Sequence, residues 1–180
     1  KFTPVLTWNN PEELNLPTTT YPLQPNIEVH LMVESPEDFA LAWLKAGAKK
    51  LIIHVESLNR EKGSKTLDSI LDKCGGLDAE VMLAVRPETP AEDFFPYLDL
   101  VYYFQFLAVM PGPSGQEFDE RIFEKIRILR ERAPDATVEV DGGINPIIAE
   151  ELKILGVNII VSASYIWNSK NPEIAYEELQ

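Results

Sequence analysis

Cysteine is nearly absent from this sequence: Cys74 is the one among 180 residues. No disulfide can form within the chain, and no cluster of thiolates can hold a metal. No stretch approaches the roughly 20 uninterrupted apolar residues of a membrane helix. The N-terminus also lacks the basic-then-apolar pattern of a signal peptide. We therefore expect no membrane partner and a cytoplasmic location. Basic residues are scarce, 16 against 29 acidic, for a formal net charge of −13. Such a surface repels nucleic acid, whose binding needs clustered Lys and Arg. A small anionic substrate is still possible, because backbone N–H groups in glycine turns and at helix starts hold phosphate with few side-chain charges.

What is present is the profile of one soluble globular domain, 1–180, with 45% hydrophobic and 25% charged residues. Strand and helix patterns alternate along it. Ile27–Val33 reads as a strand, and Ser35-Pro36-Glu37 opens a helix running to about Ala46. Lys50–Glu56, Glu80–Val85, Leu100–Val109, Thr137–Asp141 and Val157–Ala163 read as further strands. Leu67–Cys74, Pro90–Leu98, Asp119–Arg132, Asn145–Leu155 and a last segment from Asn171-Pro172 read as helices. The apolar strands suit a parallel sheet buried on both faces, which leaves an open doubly wound sheet or a closed eight-unit barrel. No G-x-G-x-x-G follows the first strand, which disfavours dinucleotide binding. The opening 26 residues show little periodicity, with one helical turn expected at Pro11-Glu12-Glu13-Leu14. The chain does not begin with methionine, and a segment before Lys1 is expected.

Six short motifs in register resemble the ribulose-phosphate 3-epimerase family. They are His30-Leu31-Met32-Val33 with Pro36, Ile53-His54-Val55-Glu56, and Pro87 with Thr89-Pro90. The others are Met110–Gln116, Val140-Asp141-Gly142-Gly143-Ile144-Asn145 and Ser162-Ala163-Ser164. The resemblance implies a (β/α)8 TIM barrel with about six of its β/α units in this chain. It places the family's first strand, first helix and second strand before Lys1. Its fold-level expectation for chemistry is a metal-dependent isomerase that epimerises a ketose phosphate by two-base proton transfer through an enediolate.

The family motifs then assign residues one at a time. Asp141 is implied as an acid–base group and a metal ligand, and His30 as a second ligand for a divalent metal ion (Zn, Fe or Mn). The family's other His and Asp belong to the strand placed before Lys1. His54 is also kept in the family but is not assigned as a ligand. Met32 is implied against the substrate, although core packing would explain a methionine there equally well. Gly142, Gly143, Ser162, Ala163 and Ser164 are implied as a phosphate cradle, with Gly112, Ser114 and Gly115 covering it. The α-helix after Gly143 is expected to offer free N–H groups at Asn145-Pro146.

Some residues depart from the pattern. Ala163 stands where the family has glycine, Pro113-Ser114 replaces Phe-Gly, and Arg86 precedes Pro87. A non-catalytic barrel that keeps the phosphate cradle is the alternative reading. A homo-oligomer is expected as well, and were Lys1 the true start, an open six-strand sheet would need a partner chain to cover its edges.

Overall fold

The structure, a computed structural model, describes residues 27–58, 63–112 and 115–180. The helical turn expected at 11–14 and Ser114 lie outside the described residues. Six strands alternate with helical segments: β1 (Glu28–Leu31), α1 (Pro36–Lys45), β2 (Lys50–His54), α2 (Gly63–Gly75), β3 (Glu80–Val85), β4 (Tyr103–Leu107), α3 (Arg121–Arg132), β5 (Thr137–Asp141), α4 (Pro146–Ile154), β6 (Ile159–Val161), α5 (Ser164–Trp167) and α6 (Pro172–Glu177). The chain forms two compact units, Lys1–Met82 and Leu83–Gln180, with the boundary inside β3.

In the first unit β1 and β2 pair in parallel, Glu28 opposite Lys50 and His30 opposite Ile52. Every residue of β2 is buried, as a strand covered on both faces requires. α1 begins with Pro36 at its first turn, acids Glu37 and Asp38 behind it, and Lys45 in its last turn. That arrangement complements the helix dipole. Its Ala40, Trp43 and Leu44 are buried, and α2 packs beside it with Leu67, Ile70 and Cys74 inside. α2 starts four residues before the expected Leu67. β2 ends two residues early, because Val55–Ser57 winds into a 3-10 turn. Ser57 Oγ donates to the His54 carbonyl at 2.7 Å, which satisfies that oxygen without a neighbouring strand.

In the second unit β4, β5 and β6 run parallel and in chain order. Alternation along the strands sorts the side chains. Val138 and Val140 point to one face of β5, while Thr137, Glu139 and Asp141 share the other. On the polar face Gln105 lies opposite Glu139, and its Nε2 donates to Oε1 at 2.7 Å, both residues being buried. Phe94 meets Phe104 and Phe106 edge to face, with ring centroids 4.9 and 5.5 Å apart. α3 buries Ile122, Ile126 and Leu129, the stripe its sequence shows.

Two expected elements came out differently. Pro90–Leu98 forms a 3-10 segment, Ala91–Tyr97, not an α-helix. Pro96 inside it has no N–H to donate, so an α-helical ladder would lose a bond there. β4 starts at Tyr103 instead of Leu100, because the N–H groups of Leu100 and Val101 turn back to the Tyr97 carbonyl.

The turn after β3 is held by one side chain. Lys125 Nζ donates to the carbonyls of Arg86 at 3.1 Å, Thr89 at 2.6 Å and Pro87. A charged donor shared among three carbonyls is worth more than a neutral bond. Lys125→Met should therefore lower stability by about 2 kcal/mol, read from the urea midpoint at constant m value. An unchanged midpoint would mean that water serves those carbonyls equally well.

Candidate functional site

The loop after β5 carries the most constrained backbone in the second unit. Gly142 and Gly143 have φ of +108° and +67°, conformations that side chains with a Cβ rarely adopt. Space excludes a side chain there as well. A Cβ on Gly142 would come within 2.5 Å of Val109 Cγ2, and one on Gly143 within 2.5 Å of the Phe118 backbone nitrogen. The close approach at Gly143 is thus used by the protein's own chain. A Cβ on Gly112 or Gly115, at φ of +151° and +89°, would meet nothing within 4 Å among the described residues, so what demands glycine there is the loop's conformation.

Backbone bonds tie the strand ends around this loop. Ala108 N–H donates to the Asp141 carbonyl at 2.7 Å, and Asp119 N–H to the Ala108 carbonyl at 2.9 Å. Ser162 Oγ donates to the Ile144 carbonyl at 2.9 Å, joining the end of β6 to the same turn. Ala163 sits in ordinary right-handed helical backbone, φ −96° and ψ −63°, at the N-cap of α5. No glycine is needed there, which explains why alanine is accommodated.

The helix after this turn does not offer what the sequence suggested. Asn145 Oδ1 accepts from Ile147 N–H at 3.0 Å and Ile148 N–H at 3.1 Å. This is the usual asparagine N-cap, and it consumes two of the helix's unpaired donors. Any anion here must use other N–H groups.

Asp141 ends β5, at the side of the strand where barrel enzymes place their chemistry. Burial pushes its carboxyl up to about 6, since the charged form loses hydration. His30 is the third residue of β1, toward the same end of its own strand. Its ring is neutral near pH 7: burial, and the neighbouring His54 after it, pull its pKa down to about 3. His30 Nε2 lies 2.8 Å from His54 Nε2, and His54 Nδ1 lies 3.2 Å from Glu56 Oε2. That contact was not legible in the sequence, where His54 read only as a strand residue. Alternation along β2 carried a partial signal, since Lys50, Ile52 and His54 share a face. Met32, just past β1, is 51% exposed.

Among the described residues no three His, Cys, Asp or Glu side chains gather as a metal cluster. By donor chemistry His30 and Asp141 each suit a divalent metal, one offering a neutral imidazole and the other a carboxylate.

The parallel strands alternating with helices, together with the solved structures they match, place the chain in a class, the (β/α)8 TIM barrel. This chain carries six of its β/α units. Solved structures with this fold match it, among them 3-hexulose-6-phosphate synthase from Salmonella typhimurium, with a TM-score of 0.65 and 14% identity over 84% of this chain and 71% of that one. Another is 3-keto-L-gulonate-6-phosphate decarboxylase from Vibrio cholerae, with a TM-score of 0.64 and 9% identity over 86% and 70%. The chain belongs to the ribulose-phosphate 3-epimerase family, whose model matches residues 13–167.

The cytoplasmic isoform of ribulose-phosphate 3-epimerase from Oryza sativa subsp. japonica is 34% identical over 95% of this chain and 73% of its own length. The ribulose-phosphate 3-epimerase of Chlamydia muridarum is 34% identical over 78% of this chain, which covers 62% of that relative. That of Mycobacterium tuberculosis is 32% identical over 99% and 76%.

The two glycine pairs separate by substitution. Gly143→Ala should cost at least about 2 kcal/mol, combining backbone strain with a clash against a main chain that cannot swing away. Gly115→Ala should cost about 1 kcal/mol, from conformation alone. Equal losses in thermal unfolding would refute the close approach at Phe118.

Asp141 should leave a mark on stability. Between pH 3.8 and about 6 the folded protein keeps a proton that the unfolded chain has released. The group's contribution is complete below that window and is lost as pH rises through it. Asp141→Asn cannot ionise, so relative to wild type it should gain on the order of 2–3 kcal/mol between pH 4 and 7. Urea titrations with a chelator present test this, and a difference that stays flat with pH would mean the carboxyl is hydrated.

Proposed function

We propose that this chain is part of an epimerase acting on a ketose phosphate, ribulose 5-phosphate in the first instance. Moving a substituent at the carbon beside a carbonyl requires removing a proton from one face and returning one to the other. A carboxylate beside the substrate can take that proton and leave an enediolate. The observation that carries the reading is Asp141, a largely buried carboxyl at the end of β5 followed directly by the Gly142-Gly143 turn. Family membership supports the substrate class.

Phosphate recognition belongs to the same reading. Gly142, Gly143, Ser162, Ala163 and Ser164 would form the cradle, and the Ser162 bond to Ile144 supports their gathering. No side chain caps the first turn of α5, so Ser164 and its neighbours keep backbone donors for an anion. A divalent metal (Zn, Fe or Mn) would polarise the substrate carbonyl, and His30 and Asp141 each offer a donor of the kind such a metal takes. A cytoplasmic home and a homo-oligomer complete the proposal. Sedimentation velocity showing a monomer would remove the oligomer.

Two measurements test the chemistry. Ribulose 5-phosphate should raise the melting temperature, and unphosphorylated ribulose should not. Conversion of ribulose 5-phosphate to xylulose 5-phosphate should fall at least about 100-fold in Asp141→Asn while the sugar-phosphate protection stays. His30→Ala should weaken metal binding by about 10-fold or more. Protection without turnover in the wild-type protein would favour the non-catalytic barrel. An unchanged rate in Asp141→Asn would end the proposed mechanism.

A further inference from the structure

His54 has no part in the chemistry proposed above, yet it stands between His30 and a carboxylate. It is buried at the end of β2, 7% exposed, with one ring nitrogen toward each neighbour. The two imidazole planes differ by only 20°, and their centroids are 4.9 Å apart. With 2.8 Å between the Nε2 atoms, the nitrogens lie between the ring centres. The rings therefore meet edge to edge, one N–H aimed at one lone pair, and not face on face.

With Glu56 ionised and both rings neutral, hydrogen-bond chemistry leaves one arrangement of protons. An ionised carboxylate only accepts, so the Nδ1 of His54 facing Glu56 must carry hydrogen. A neutral His54 then presents a lone pair at Nε2. Two lone pairs cannot share a contact that short, so Nε2 of His30 must donate. The lone pair of His30 is left on Nδ1. Local backbone holds the pieces in place. The 3-10 turn Val55–Ser57, closed by Leu58 N–H on the Val55 carbonyl at 2.9 Å, brings Glu56 back toward the ring two residues before it.

We infer that Glu56 and His54 are a positioning pair that sets His30 as its Nε2–H tautomer, leaving Nδ1 as the one basic nitrogen of that histidine. What Nδ1 then meets rests on the proposed role of His30, but the tautomer stands without it. Outer partners commonly fix the orientation and tautomer of a working histidine. Here the outer partner is a second imidazole passing on the preference of a carboxylate.

Imidazole nitrogen spectra of the metal-free protein, labelled with 15N-histidine and held near pH 7, read this directly. His30 should show an unprotonated Nδ1 and a protonated Nε2, with His54 the reverse. Glu56→Leu removes the acceptor that starts the chain of preferences, and both His30 signals should move toward the average of the two tautomers. Wild-type His30 protonated on Nδ1 would overturn the inference, as would a His30 pattern identical in wild type and a folded Glu56→Leu. The wild-type spectrum decides alone if that variant does not fold. Adding Zn²⁺ separates the two readings. A shift of the His30 Nδ1 signal supports its role as a ligand, and no shift beside the expected tautomer counts against the metal alone.

Discussion

The Glu117–Phe118 backbone occupies the space where a Gly143 side chain would be, and much of the second unit depends on that contact. Main chain against main chain at such range permits no side chain and little adjustment. It fixes where the segment leading into α3 passes over the end of β5. Ala108 and Asp119 extend the lock through their bonds to Asp141 and to each other, and Ser162 joins β6 to it through Ile144. The carboxyl of Asp141 is therefore carried on a backbone held from several sides. A functional group needs that rigidity if it is to meet a substrate in one geometry.

A second constraint is how these strands manage polar groups. Buried charge is costly unless paired. On β1 and β2 the cross-strand partners Glu28 and Lys50 form an ion pair of 2.9 Å, and on β4 and β5 Gln105 donates to Glu139. The first pair opens its strands and the second sits at mid-strand, while His54 and Asp141 are the last residues of β2 and β5. In these strands polarity is satisfied internally before the C-terminal end, and the candidate chemistry lies at or near that end. That division matches the separation of stability and catalysis between the two ends of a barrel.

The family and the fold narrow function without completing it. The barrel hosts many reactions, so the solved neighbours at 14% and 9% identity establish architecture only. The curated relatives add the reaction class. This chain spans 62% of one of them and 73% of another, and the activity of a whole protein is therefore a proposal here. The departure from the family pattern at Ala163 is structurally mild. Ala163 takes backbone angles open to any residue, so its methyl group imposes no strain on the turn.

The sequence by itself determined the order of elements and the identity of the glycine turn. The spans Glu80–Val85 and Thr137–Asp141 agree to the residue, because one is a short apolar run, the other alternates with period two, and both are bounded by clear turn and helix signals. Its errors fell where a local bond outweighed propensity: Pro96 in the 3-10 segment, Ser57 at the end of β2, and Tyr97 drawing back the start of β4. Asp141 and His30 were legible because they sit in motifs. The environment that sets their protonation was not. Tertiary structure alone decided that burial would raise one group and lower the other, and that the Asn145 side chain would close a helix start expected to stay open. It alone brought His54 against His30, 24 residues away in the chain. The reason is physical: propensity and pattern act over a few residues along the chain. Desolvation and hydrogen-bond direction depend on which groups meet through space, and only the folded backbone settles that.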